Sequence, residues 1–262
     1  MAEAREPQQL YEHTREEGQR RLNRSFLELA ATSFVAGVDV VFGVIALGIT
    51  HHLVGARGGP ELGDLAGALA FGIGFVFIVA GRSELFTENF LVPITGLDRT
   101  DRRSWFKLAE LWTVSPILNL VGAFILVLVV TSHGVLPEGT GDALNGVVEK
   151  IEENSVVTAF MSAVAGGALI TLMTWIVEGV QHLVVNVICA WIVGSMLALG
   201  HFNHVIVVTI EYFFGLRYGA NVGWEDALSN FGVAAVGNVV GGLLFVTLTR
   251  IGQATSFGSR LS

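Results

Sequence analysis

Several stretches of this chain run for about 20 residues without a charge, long enough for a helix to cross the roughly 30 Å hydrocarbon core of a bilayer. Inside lipid the backbone must satisfy its own polar groups, so such runs point to an all-α polytopic membrane protein. A β-barrel is disfavoured because the apolar residues are continuous and do not alternate. Charged residues make up 15% of the 262, against roughly 25% in soluble domains, and the 32 glycines suit close helix–helix approach. Residues 1–27 are polar with no apolar core, so no signal peptide is expected. The single Cys189 lies in an apolar run and reads as a small buried hydrophobe.

Six apolar segments can be drawn, at about 28–50, 64–96, 108–131, 156–178, 180–216 and 230–249. The chain divides into an N-terminal amphipathic segment (1–27), a transmembrane transport domain (28–250) and a tail (251–262). With six spans both termini share a side. That side collects Arg5, Arg15, Arg20, Arg21, Arg24, Arg99, Arg102, Arg103, Lys107, Arg250 and Arg260, whereas the opposite side has only Arg57, Lys150 and Arg217. Eleven against three predicts cytoplasmic termini in the inner (plasma) membrane, and an outward-facing acidic loop at 132–155. Trp105 and Trp224 fall near span ends, where indoles prefer the interface.

The second and fifth segments, about 33 and 37 residues, are too long for one span and carry polar residues near their middles. In the second, "GRSELFTENF" places Arg82, Glu84 and Glu88 within seven residues; the fifth is interrupted by "GHFNH" at 200–204. Tilt absorbs extra length but not charge at mid-depth, so each is expected to be a broken helix whose irregular part is buried or lines a cavity. An internal repeat supports this. Asn119-Leu-Val-Gly122 and Asn238-Val-Val-Gly241 are 119 residues apart, and the same offset carries Glu84-Leu85 to Asn203-His204. Halves with three spans each must be inverted relative to one another, which places a transport path at their interface near mid-membrane.

"GRSELFTENF", "GHFNHVIVV" and "VGNVVGGLLF" resemble the formate/nitrite transporter family, in order and spacing, over about 28–250. The sequence is most similar to a branch carrying a Gly-Arg-Ser-x-Leu-Phe-Thr-Glu-Asn motif. The resemblance implies an aquaporin-like fold and a homopentamer with one pore per protomer, passing small monovalent anions or their acids. It makes His204 the central histidine, with Thr87 on the mobile loop among Leu85, Phe86 and Asn89. It puts Phe71 and Phe75 at the inner constriction, Leu197 at the outer one, and Lys150 in the outer vestibule. An Asn that meets the central histidine in better-known members is replaced here by Gly167 or Ala168, and Arg82 and Glu88 make the motif more charged than usual.

The residues themselves allow several readings. A neutral imidazole at His204 can exchange a proton with a ligand near neutral pH, and neutralising an anion removes most of its desolvation cost. The bland alternative is a buried His bonded to a carbonyl. Asn203 either orients that ring or satisfies the broken backbone. Glu84 is expected to cap a half-helix and pair with Arg82; the rival reading makes Arg82 an anion attractor in the pore. Glu88 is expected at the pore mouth or a subunit interface, Thr87 as a cap or substrate contact, and Asn119 and Asn238 as supports of loop backbone. Glu178, His182 and Glu211 stay unassigned. His201, His204 and Glu211 are a poor metal set, and no nucleotide-binding glycine motif or catalytic constellation is present. The expectation is therefore a channel or transporter for a small anion, coupled to a proton, with membrane lipid as its surroundings, no cofactor, no metal and no nucleic-acid partner. The alternatives are an aquaporin-like channel for a neutral solute and a closed structural or regulatory membrane protein.

Overall fold

A computed structural model describes residues 5–261, with side chains through residue 255; residues 1–4 and 262 and the side chain of Arg260 lie outside the described residues. The first helix, α1 (Pro7–Leu22), ends at Asn23, and the Ser25 hydroxyl accepts the Glu28 N–H at 3.2 Å to cap α2 (Phe26–Gly58). The amphipathic N-terminal segment therefore breaks from the first span between these caps. α3 (Pro60–Gly81) follows Gly59, whose φ of 90° suits glycine, and Pro60 sits in the first turn, where its missing N–H costs nothing. The chain then turns back through residues 82–85 into a 3₁₀ turn (Phe86–Phe90) and the short α4 (Val92–Gly96). α5 (Arg102–Val130) is capped by Asp101.

The acidic 132–155 loop holds a helix that its charge concealed, α6 (Thr140–Glu152), which buries Ala143, Leu144 and Val148 on one face. α7 (Val156–Gly179), capped by the Ser155 hydroxyl, leads to α8 (Leu183–Leu199), and after the 200–204 loop to α9 (Val205–Tyr218). The last span runs through α10 (Trp224–Val240), a π-helical stretch (Gly241–Thr247) and α11 (Leu248–Leu261). Five of these helical runs are long and apolar enough to cross a membrane, and the shorter apolar α8 with α9 makes the sixth segment. The breaks expected in the second and fifth segments fall after α3, at residues 82–85, and after α8, at 200–204.

The two halves repeat each other closely at the breaks. Arg82 (φ 56°) and His201 (φ 48°) are the non-glycine residues with positive φ among the described residues, and they are 119 positions apart. At the same offset, the Ser83 N–H donates to the Ile78 carbonyl at 3.2 Å and the Phe202 N–H to the Leu197 carbonyl at 3.0 Å. A left-handed residue thus reverses the chain after α3 and after α8, sending each loop back toward the centre. Outside, α5 exposes Ile117, Val121, Ile125 and Leu128 along one stripe, a face suited to lipid or a neighbouring protomer.

Candidate functional site

The tips of the two re-entrant loops meet. Thr87 Oγ1 lies 2.7 Å from His204 Nε2, and both residues are fully buried. His204 also caps α9: its Nδ1 accepts the Val207 N–H at 3.3 Å. An accepting Nδ1 assigns the neutral ring's proton to Nε2, so Nε2–H donates to Thr87. The hydroxyl proton of Thr87 then has no acceptor among the described residues. The Phe75 ring stands edge-on to the imidazole, with centroids 6.3 Å apart, and Phe71 continues the stack at 5.9 Å from Phe75.

Each loop is held by one asparagine in the same way. Asn119 Oδ1 accepts the Phe86 N–H at 2.9 Å, and its Nδ2 donates to the Ser33 and Glu84 carbonyls at 2.7 and 3.2 Å. Asn238 Oδ1 accepts the Val205 N–H at 2.9 Å, and its Nδ2 donates to the Ala163 and Asn203 carbonyls at 2.7 and 2.9 Å. The chain approaches each brace too closely for a side chain: a β-carbon on Gly37 would collide with the Asn119 backbone, and one on Gly167 with that of Asn238. Gly167 is thus a packing glycine against Asn238, and Ala168 packs on the apolar cluster that includes Leu10, Leu91 and Trp175. Gly166 on α7 also faces the second loop, where a β-carbon would lie 3.1 Å from the Asn203 carbonyl oxygen, and Ser162 one turn earlier bonds the His201 carbonyl and the Asn203 N–H. Asn203 does not orient the His204 ring; its amide exchanges hydrogen bonds with Asn230 at 2.9 and 3.2 Å. In the first loop Leu85 is fully buried, Asn89 donates to the Leu85 carbonyl at 3.3 Å, and Phe86 packs against Phe90 and Trp112.

Cavities approach this centre from both sides. On the α6 side a narrow one of about 60 Å³ is lined by Phe71, Leu197, His51, Asp64, His201 and Glu211, among others. On the α1 side a wide one of about 780 Å³ reaches Ile78, Arg82, Ser83, Glu84 and Glu88. Phe71 and Leu197, expected at opposite constrictions, therefore line the same α6-side cavity. α3 runs from the α6-side cavity to the α1-side one, and Phe71 lies one turn nearer its α6-side end than Phe75. Ile78, the repeat-mate of Leu197, occupies the α1-side position and was not singled out from sequence. Lys150 does not line the narrow cavity: it sits on α6 and pairs with Asp64 at 2.8 Å, which offsets its charge.

The charges of the first loop are paired differently from the sequence expectation. Glu84 does not bond Arg82. It accepts both guanidinium nitrogens of Arg24, at 2.9 and 3.0 Å, with Arg21 at 3.5 Å; the Arg24 and Glu84 side chains are 4% and 7% exposed. The reason is topological. α1 docks on α4, with Gly18 against Gly96, and delivers Arg21 and Arg24 beneath the loop. Arg21 also binds Glu178 at 3.1 Å and Glu17 at 3.1 Å. Burial would raise the Glu17 carboxyl, but hydrogen bonds from Arg20 and Arg21 and their charges overcome it and hold it down at about 2. Glu88 turns inward to accept the Leu85 N–H at 2.8 Å, bridging its own turn while bordering the wide cavity. Arg82 stands exposed in that cavity, its guanidinium with no hydrogen-bond or ion-pair partner among the described residues.

Comparison with known proteins agrees with this architecture. The formate/nitrite transporter profile matches residues 8–252. The inner membrane protein YfdC of Escherichia coli K12 is 26% identical over 244 residues, covering 91% of this chain and 76% of its own. The formate channel BtFdhC of Bacillus thuringiensis is 25% identical over 244 residues, 92% of each chain. A solved FNT family ion channel superposes with a TM-score of 0.76 over 92% of this chain and 96% of its own, at 18% identity. A pentameric formate channel with formate bound gives 0.65 over 86% and 97%, at 22% identity. With its aquaporin-like arrangement of six spans and two re-entrant loops, this multi-pass membrane protein belongs to the formate/nitrite transporter family.

Proposed function

We propose that the protein passes a small monovalent weak-acid anion, such as formate or nitrite, together with a proton, and does so as a homopentamer in the inner (plasma) membrane with both termini cytoplasmic. The observation that carries this reading is the buried Thr87–His204 pair between apolar gates. Phe71 and Leu197 guard one side; Phe75 and Ile78 guard the other. Apolar constrictions of this kind refuse hydrated ions. The centre offers one free neutral donor, the Thr87 hydroxyl, beside the His204 Nε2–H that already donates to it, and no formal charge. A bare anion there would exchange its hydration for neutral hydrogen bonds alone, at high cost, so the species favoured between the gates is the neutral acid. For His204 to supply that proton, Nδ1 must release the Val207 N–H and take up a proton, after which Nε2 gives its own to the anion.

On the α1 side, read as cytoplasmic from the distribution of Arg and Lys, Arg82 serves as the unpaired cation that concentrates anions at the mouth. Asn119 and Asn238 hold the two loops at the distance the Thr87–His204 contact requires. The pentamer reading draws on the solved pentameric relative and on the exposed apolar stripe of α5. The neutrality of the centre equally favours a second reading, a channel for a small neutral solute.

Proteoliposome flux separates the two. Formate, nitrite, acetate, lactate, hydrosulfide and chloride are screened at external pH 5 and 7.5, beside water and glycerol. Uptake of one small weak acid that rises at low pH supports the proposal. Water or glycerol flux without any anion flux sinks it and puts the neutral-solute channel first.

A further inference from the structure

Glu211 is a carboxyl that the pore chemistry above does not use. It lies on α9 seven residues beyond His204, two helical turns or about 10 Å along the axis. It is 7% exposed, lines the narrow α6-side cavity together with Phe71 and Leu197, and its carboxyl makes no hydrogen bond or ion pair among the described residues. Its surroundings do not neutralise it. The cavity wall adds His51 from α2, Asp64 from α3 and His201 from the second loop. Lys150 on α6 is engaged by Asp64, and His51 Nε2 contacts the same carboxylate at 3.1 Å. The neighbouring Tyr212 hydroxyl donates to Glu152 on α6, and Asp226 on α10 adds another acid nearby. The α6-side approach to an anion pore thus ends at an unpaired carboxyl, whereas the α1-side approach ends at an unpaired guanidinium.

We propose that Glu211 is a proton-operated selectivity residue for the anion, an inference that rests on the anion-transport reading. Protonated, its carboxyl donates a hydrogen bond to the anion at the mouth of the gate. Ionised, its charge turns anions away in a narrow cavity with apolar walls. The filter thereby couples entry from the α6 side to proton availability, ahead of and separately from His204.

The test is equilibrium exchange of a labelled conducted anion across proteoliposomes at equal internal and external pH, with wild type and Glu211→Gln compared from pH 5 to pH 8. Gln keeps the size and the donor and cannot ionise. The readout is the ratio of variant to wild-type exchange, which cancels the changing amount of free acid in bulk. The expected ratio is lowest at pH 5 and rises roughly fivefold or more by pH 8, as the ionised share of the wild-type carboxyl grows and repels the anion. A ratio independent of pH, or an assembled variant that is slower at every pH, overturns the role. Should Glu211→Gln fail to assemble, Glu211→Ser also removes the charge and carries the same expectation. A wild type that exchanges no anion at any pH refutes the transport reading itself, and the Glu211 role with it; a pH-independent ratio with an active wild type refutes only the latter.

Discussion

Replacing Asn119 by Ala removes three hydrogen bonds around one loop. The Ser33 carbonyl lies within α2 and keeps its helical partner. The Phe86 N–H and the Glu84 carbonyl have no other partner among the described residues, and both sit in buried loop backbone. Each orphaned backbone group costs about 1–3 kcal/mol, so the loop loses about 2–6 kcal/mol. The repeat makes the same forecast for Asn238→Ala. There the Ala163 carbonyl keeps its partner in α7, while the Val205 N–H and the Asn203 carbonyl are stranded. The assay is amide hydrogen exchange in detergent, read on peptides spanning the two loops, alongside thermal unfolding. A loss of 2 kcal/mol corresponds to roughly a 30-fold fall in protection at Phe86 and at Val205. Asn119→Asp keeps the acceptor for Phe86 and loses the donors, so it should protect that amide better than Ala does. Wild-type protection and melting in both alanine variants would refute the brace.

Arg24→Gln leaves Glu84 buried with only Arg21 at 3.5 Å, and should cost about 3 kcal/mol, the low end for breaking a buried pair, seen as a lower melting temperature; no change would mean the pair is solvated in solution. Gly37→Ala and Gly167→Ala should each destabilise by at least about 1–3 kcal/mol through backbone collision, whereas Gly146→Ala, with open space around it, should melt like wild type. Glu17, whose pKa falls from 4.5 to about 2 on folding, contributes stability that is complete above pH 4.5 and lost only as pH falls toward 2. Exchange protection of α1, corrected for intrinsic rates, should therefore be equal at pH 7.5 and pH 5 as far as Glu17 is concerned, and lower at both in Glu17→Gln; a Gln variant protected like wild type would contradict the ion pair's role.

The sequence exposed what is periodic or local. Apolar length marked the spans, and polar residues inside over-long runs marked both breaks. A 119-residue offset, resting on two Asn-x-x-Gly matches, tied Asn119 to Asn238, which brace equivalent loops. What it hid depends on which distant segments meet. Arg82 is two residues from Glu84, yet its left-handed backbone sends it into the cavity, and Glu84 is claimed by Arg24 across 60 positions. No local pattern announces that α1 folds under α4; Gly18 and Gly96, which let the backbones touch, look like any other glycines of a membrane protein. α6 was hidden by its acidic surroundings, although Ala143, Leu144 and Val148 carry a helical spacing that marks it. That Phe71 and Leu197 share one cavity is not legible from sequence, because aligning a motif fixes order along α3 but not depth relative to α8.

The central claim is that the anion crosses, as its acid, at the contact between Thr87 and His204. The most direct measurement is flux of the conducted anion in proteoliposomes by wild type and His204→Phe at external pH 5 and 7.5, with assembly of the variant checked by size. Proton-linked passage through His204 predicts wild-type flux that rises at pH 5, and a folded variant that has lost both the flux and its pH response. A folded His204→Phe protein with wild-type flux and unchanged pH dependence would contradict it.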